Sequence, residues 1–215
     1  MSLTPPASAQ ARRVRVVLEG LQAQFAEGLN ALSHQFGDGA ELQPASWLRD
    51  EGRHGGGHRL EATETALLNR ASLNISTVHY DDLPTKRLSS ATALSCIVHP
   101  HHPQAPSMHM HISWTALRPG QGTGGWRMMG DLNPSIPNPA DRDRMFDAFR
   151  RGLAKAPEGT LESGIAQGDR YFAIPALNRH RGVAHLYLEQ WNSGDMDADQ
   201  ALAVTFGEEV IAAYL

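Results

Sequence analysis

The sequence predicts an α+β fold, a largely antiparallel β-sheet flanked by α-helices. Two patterns carry this reading. Apolar residues recur at helical spacing near both ends and after residue 138, whereas the middle of the chain alternates apolar and polar residues in short runs. The order is therefore helix, a run of strands, helix, strand, helix, and segregated runs of this kind indicate α+β rather than alternating βαβ units. No internal repeat and no long linker divides the chain, so residues 1–215 read as a single domain.

Each element has its own signal. Residues 8–33 place Val14, Val17, Leu18, Leu21, Phe25, Leu29 and Leu32 at helical spacing, which predicts a long amphipathic helix. Residues 34–59 read as loop, with Gly37, Gly39, Gly52 and the run Gly55-Gly56-Gly57. β-rich pieces follow at 59–68, 73–79 and 92–99. Segment 108–115 alternates without interruption. Met108, Met110, Ile112 and Trp114 fall on one face, and His109, His111, Ser113 and Thr115 on the other. Gly120, Gly122, Gly124 and Gly125 make a turn into a short strand at 126–132. Asn138-Pro139 opens a helix whose buried stripe is Met145, Phe146, Phe149 and Leu153. A shorter helix covers 158–167, and 171–174 and 182–191 are extended. The last helix starts near Asp197, with Leu202, Phe206, Val210 and Ile211 inward.

Composition narrows the function. A net charge of −4 and a pI near 6.2 argue against a general nucleic-acid binder, which needs a basic face. Cys96 is the only cysteine, so no intrachain disulfide and no CxxC metal site is available. No apolar run approaches the roughly 20 residues of a membrane helix. Arg12, Arg13 and Arg15 interrupt any secretory signal, so a cytoplasmic protein is expected.

The chemistry concentrates in residues 99–134. Five of the eleven histidines, His99, His101, His102, His109 and His111, lie in the fourteen positions 98–111. Imidazole titrates near neutral pH and ligates metals, so the cluster serves proton or metal chemistry, or fills a polar sheet face. His109 and His111 share a face, which suits the edge of a Zn, Fe or Cu site, but no glutamate follows within fifteen residues. His101 and His102, among prolines, read as a solvated turn. Asp131 caps a turn or faces a cleft as partner to a cationic nitrogen. Gly55-Gly56-Gly57 lacks the GK[ST] and GxGxxG patterns and is either a flexible loop or backbone that approaches an anion. Arg179, His180 and Arg181 supply local positive charge suited to carboxylates.

Four blocks in order resemble the oxygen-dependent coproporphyrinogen III oxidase family. They are EGRHGGGHRLEATETALLNRASLNISTVHYDDLP at 51–84, SCIVHPHHPQAPSMHMHISW at 95–114, WRMMGDLNP at 126–134 and YFAIPALNRHRG at 171–182. The resemblance implies oxidative decarboxylation of two propionates of coproporphyrinogen III to vinyl groups. Dioxygen is the co-substrate and there is no metal or organic cofactor. It also implies a flat antiparallel sheet covered by helices, and a homodimer. His109 matches the family's active-site histidine and Asp131 the acid that engages pyrrole N–H groups. Arg181 matches an arginine that holds propionates, and Gly55, Gly56 and Gly57 the backbone near the substrate. His111 and Ser113 fall where the family has a substrate-facing asparagine and arginine. Further departures are Ala176-Leu177 and Arg179 for the family's His-Arg and Glu, and Trp126-Arg127-Met128-Met129 for its Phe-Gly-Gly-Gly. The chain also ends at Leu215, before the family's C-terminal strands, which leaves an open sheet edge as the expectation. Three readings follow: a working oxidase, a relative that binds a tetrapyrrole or other anion without turnover, and a metal enzyme built on His109, His111 and a neighbour.

Overall fold

The computed structural model describes residues 3–215. Helix α1 (Ala9–Phe36) is capped by Ser8, whose hydroxyl accepts from the Ala11 N–H at 3.2 Å. Its buried stripe, Val14, Leu18, Leu21, Phe25 and Leu29, follows the spacing seen in the sequence. The strands are β1 (Gln43–Leu48), β2 (Gly55–Thr63), β3 (Leu68–His79), β4 (Leu88–Pro100), β5 (Ser107–Leu117) and β6 (Gly125–Asn133). Then come α2 (Pro139–Gly152), α3 (Thr160–Tyr171), the short strands β7 (Ala173–Ile174) and β8 (Arg179–His180), β9 (Ala184–Trp191) and α4 (Met196–Tyr214). The main sheet has seven strands in the order β1-β2-β3-β4-β5-β6-β9, all antiparallel. The fold is α+β, as the sequence indicates.

One face of the sheet carries the core. Leu73 and Ile75 of β3, Leu94 and Cys96 of β4, Met110 and Ile112 of β5, and Trp126 and Met128 of β6 are fully buried there with α1 and α4. Phe149 of α2 stacks on Phe206 of α4 at 5.8 Å and lies over Gly130, where a Cβ would come within 2.8 Å of the ring. Gln22 of α1 donates to the Leu73 carbonyl at 2.7 Å and meets His58 Nε2 at 2.8 Å, so even the polar residues of α1 lock it to the sheet. Among the described residues, no helix packs across the opposite face.

Two expectations change. Residues 34–59 are not all loop: Gln43–Leu48 form the edge strand β1, and the glycine run begins β2. The mixed composition QPASWL gives β1 no alternation to read, and Pro44 suits an edge strand. The edge at β9 is not open. Helix α3 lies along it, and Gln167 Oε1 accepts from the Glu189 N–H at 3.3 Å. Gly164 and Gly168 let α3 approach, since a Cβ at either would crowd Leu186 or His185.

Candidate active site

The uncovered face is built by strand parity. In β5, the methionines, Ile112 and Trp114 point into the core, so His109, His111 and Ser113 point the other way. Register then aligns three cross-strand rows. The first runs Gly57, Ser76, Ala93, Ser113 and Arg127. The second runs Arg59, Asn74, Ser95, His111, Met129 and Tyr187. The third runs Glu61, Ser72, Ile97, His109, Asp131 and His185. Serine and alanine fill five of the nine positions of β3, β4 and β5 in these rows, which keeps the floor low around Asn74, Ile97, His109 and His111. At the β9 side, Tyr171 stacks on Tyr187 with ring centroids 4.3 Å apart, and Phe172 and Arg181 rise beside it as a wall.

Asp131 anchors this corner. It is 0% exposed, inside β6 rather than in a turn, so the turn-cap reading is set aside. Its Oδ2 accepts from Arg181 Nε at 2.6 Å and from Asn133 Nδ2 at 2.7 Å. Its Oδ1 has no hydrogen-bond partner and lies against Gly182, where a Cβ would overlap it. A buried carboxyl oxygen without a donor is costly, and it is a natural acceptor for a ligand N–H. Arg181 is 41% exposed at the side chain and lies 4.6 Å over the Phe172 ring. Among the described residues, its Nη groups make no hydrogen bond.

His109 joins the same cluster. Its Nδ1 is 3.2 Å from Asn133 Nδ2 and 3.5 Å from Asp131 Oδ2, and its Nε2 is 3.0 Å from His99 Nε2. An Asn133 amide that donates to Nδ1 leaves the His109 proton on Nε2, directed at His99. Two imidazoles in line can pass a proton outward. Burial, and then the neighbouring His109, holds the His99 pKa below the ordinary imidazole range. His99 is thus part of β4 and of the site, while His101 and His102 sit in the following turn as expected.

His111 behaves differently. Ser95 Oγ meets its Nδ1 at 2.8 Å and Ser113 Oγ meets its Nε2 at 3.0 Å. Burial, followed by the nearby Arg127 charge, pushes its pKa down to about 4, against a weaker opposing pull from Glu189. It is a neutral, fully bonded group at neutral pH, and Ser113 serves it as partner. Beside it Arg127 is held bidentate by Glu189, with Nη2 at 2.6 Å and Nε at 3.1 Å, and Tyr187 donates to the same carboxylate. Burial opposes ionisation of Glu189, but the Arg127 and Tyr187 hydrogen bonds outweigh it and lower its pKa.

The glycine run lies elsewhere on the sheet. Gly57 shares the row of Ser113 but three strands away, about 14 Å at strand spacing. Relative to His109 it is also four residues along, about 13 Å further. Each glycine has a packing reason. A Cβ at Gly55, where φ is +90°, would overlap the Thr77 carbonyl, and one at Gly57 would overlap the Ile75 carbonyl and press on the Trp47 indole. That indole covers Gly57 and donates to Asn74 Oδ1 at 3.1 Å. The backbone at 55–57 is paired on both sides, so the run is neither a flexible loop nor an open anion cradle.

His109 and His111 do not converge with a third metal donor among the described residues. Asn133 and His99 are the members that the motif reading passed over. Parity pointed to both, since each lies two residues along its strand from an outward-facing position. The buried Asp131, the arginine over it and the histidine in register beside it are the positions at which three of the four sequence blocks meet in space. A model of the family described as coproporphyrinogen III oxidase matches residues 13–215, nearly the whole chain and every strand and helix but the first turn of α1. The chain belongs to the coproporphyrinogen III oxidase family.

Proposed function

We propose that this chain carries out the dioxygen-dependent decarboxylation of coproporphyrinogen III propionates to vinyl groups, on the uncovered face of the sheet. The observation that carries the reading is the unpartnered Oδ1 of the fully buried Asp131, set in register with His109. Family membership and the low floor of small residues support it. In each decarboxylation the propionate loses CO2, one β hydrogen and two electrons as the C=C bond forms. Two propionates supply four electrons, which with four protons reduce one dioxygen to two water molecules.

In this reading Asp131 Oδ1 accepts a pyrrole N–H and offsets positive charge that develops on the ring during oxidation. His109 Nδ1 takes the proton released there once the Asn133 amide turns away from it, and the His109–His99 pair relays it outward. The Nη edge of Arg181 binds one propionate. Access to Oδ1 requires the Arg181–Gly182 segment to lift, because it lies over the carboxyl. Assembly as a homodimer, with no organic or metal cofactor in the reaction itself, belongs to the same proposal.

A second reading is favoured by the small number of open cations. Arg127 is held by Glu189 and Arg59 by Glu61, and Ser113 supplies no charge. A substrate with four carboxylates then meets chiefly Arg181 and the exposed Arg70, in register with His99, fewer cations than carboxylates, which favours ligand binding without turnover. Anaerobic titration with coproporphyrinogen III, followed in the Trp and Tyr fluorescence, separates the two from no binding at all. Saturable binding weakened at least about tenfold in Asp131→Ala supports the site. Equal affinity of both proteins removes it.

A further inference from the structure

We propose that Asp169, His180 and His185 bind one divalent first-row transition cation, which clips the β7–β8 hairpin to α3 and β9. Their three ligand atoms lie within 4.8 Å of one another. Ligands around a single cation at about 2.1 Å stand about 3–3.5 Å apart, so a small adjustment of the exposed His180 completes the set. The donors come from three elements: the last turn of α3, the two-residue strand β8, and β9.

The buried histidine points to a cation. His185 Nδ1 lies 3.3 Å from the Arg181 carbonyl and its Nε2 lies 2.8 Å from Asp169 Oδ1. Both nitrogens thus face acceptors. With Nδ1–H donated to that carbonyl, the Nε2 lone pair faces Asp169 Oδ1, and a cation between the two satisfies both. The carbonyl contact is the arrangement by which metal-bound histidines fix their tautomer, with Nδ1–H donated to backbone and Nε2 left to the metal. Gly168 makes the approach possible, since a Cβ there would stand 2.8 Å from His185 Cδ2. His180 completes an edge contact, its ring 5.4 Å from that of His185. Two imidazoles and one carboxylate suit Zn2+, Fe2+, Co2+ or Ni2+ rather than Ca2+ or Mg2+.

The hairpin gives the clip a purpose. β7 and β8 contribute two residues each, too few to hold themselves, and the same segment carries Arg181 over Asp131. A cation on His180 would fix its position relative to the sheet and so restrain the adjoining Arg181–Gly182 segment, whose lift opens Asp131 Oδ1. This inference does not rest on the decarboxylation reading.

The test uses full-length, tag-free protein, stripped with chelator and titrated calorimetrically with Zn2+ and with Co2+. One equivalent per chain is expected, with affinity at least about tenfold weaker in His180→Ala and in Asp169→Asn. Both residues are exposed, so both variants are expected to fold, checked by circular dichroism. Bound Zn2+ should also slow proteolytic cleavage within residues 173–181 in the wild type and not in His180→Ala. The double variant His99→Ala/His109→Ala should bind as wild type. Absence of stoichiometric binding, unchanged binding in both clip variants, or loss of binding in the His99/His109 variant would overturn the proposal.

Discussion

At the residue scale, Asp131 and its partners hold the corner of the uncovered face together. Arg181→Ala removes a charge-assisted hydrogen bond from a carboxyl that is 0% exposed, and should lower stability by about 1.5–3 kcal/mol in urea unfolding. In an Asp131→Ala background the same change should cost far less, because the half-exposed guanidinium is then hydrated, and a double-mutant cycle reads the difference. His111 supplies a pH test. In the folded chain it binds its proton only below about pH 4, against 6.5 for a free imidazole. Between those values the unfolded chain holds the extra proton, so stability falls as pH drops from 6.5 toward 4. His111→Asn should lose this dependence, with a difference of up to about 3 kcal/mol between the two proteins across the window by chemical denaturation. His109 and Asp131 were legible as motif positions, which the structure sets in register, and the parity of 108–115 showed which way the histidines face. Burial was not legible: no pattern in WRMMGDLNP says that Asp131 is sealed beneath Arg181 and Gly182, because that cover comes from residues fifty positions away.

At the element scale, alternation made β5 and its neighbours readable, and helical spacing fixed α1 and α4. β1 escaped because an edge strand with proline has no buried face to impose a pattern. The glycine run was ambiguous for a related reason, since glycine marks both loops and close backbone contacts. The structure resolves it in favour of contact, with Trp47 and two carbonyls filling the space a side chain would need. Gly55→Ala meets both a positive φ and a carbonyl oxygen, and is expected to cost about 3 kcal/mol or more, measured by the denaturant midpoint. Phe149→Ala opens the interface between α2, α4 and the sheet and should cost about 3–5 kcal/mol in the same assay.

At the scale of the whole molecule, the sheet is covered on one side and carries polar chemistry on the other. Helix α3 and the β7–β8 hairpin wall that face at β9, and there Asp131 of β6, Arg181 after β8 and His185 of β9 come together. Covalent order alone could not show this, since the wall depends on glycines at 164 and 168 that admit α3 against the edge. No helix of the described residues is long and apolar enough to cross a membrane. On the proposed function, a flat tetrapyrrole lies on the uncovered face with its N–H groups over Asp131. The most direct measurement of that claim is chromatographic detection of vinyl products from freshly reduced coproporphyrinogen III, in air and under nitrogen, with wild type and Asp131→Ala. Vinyl products are expected from the wild type in air only, with a rate about a hundredfold lower or less in the variant. Products that form equally in Asp131→Ala, or that form without dioxygen, would contradict it.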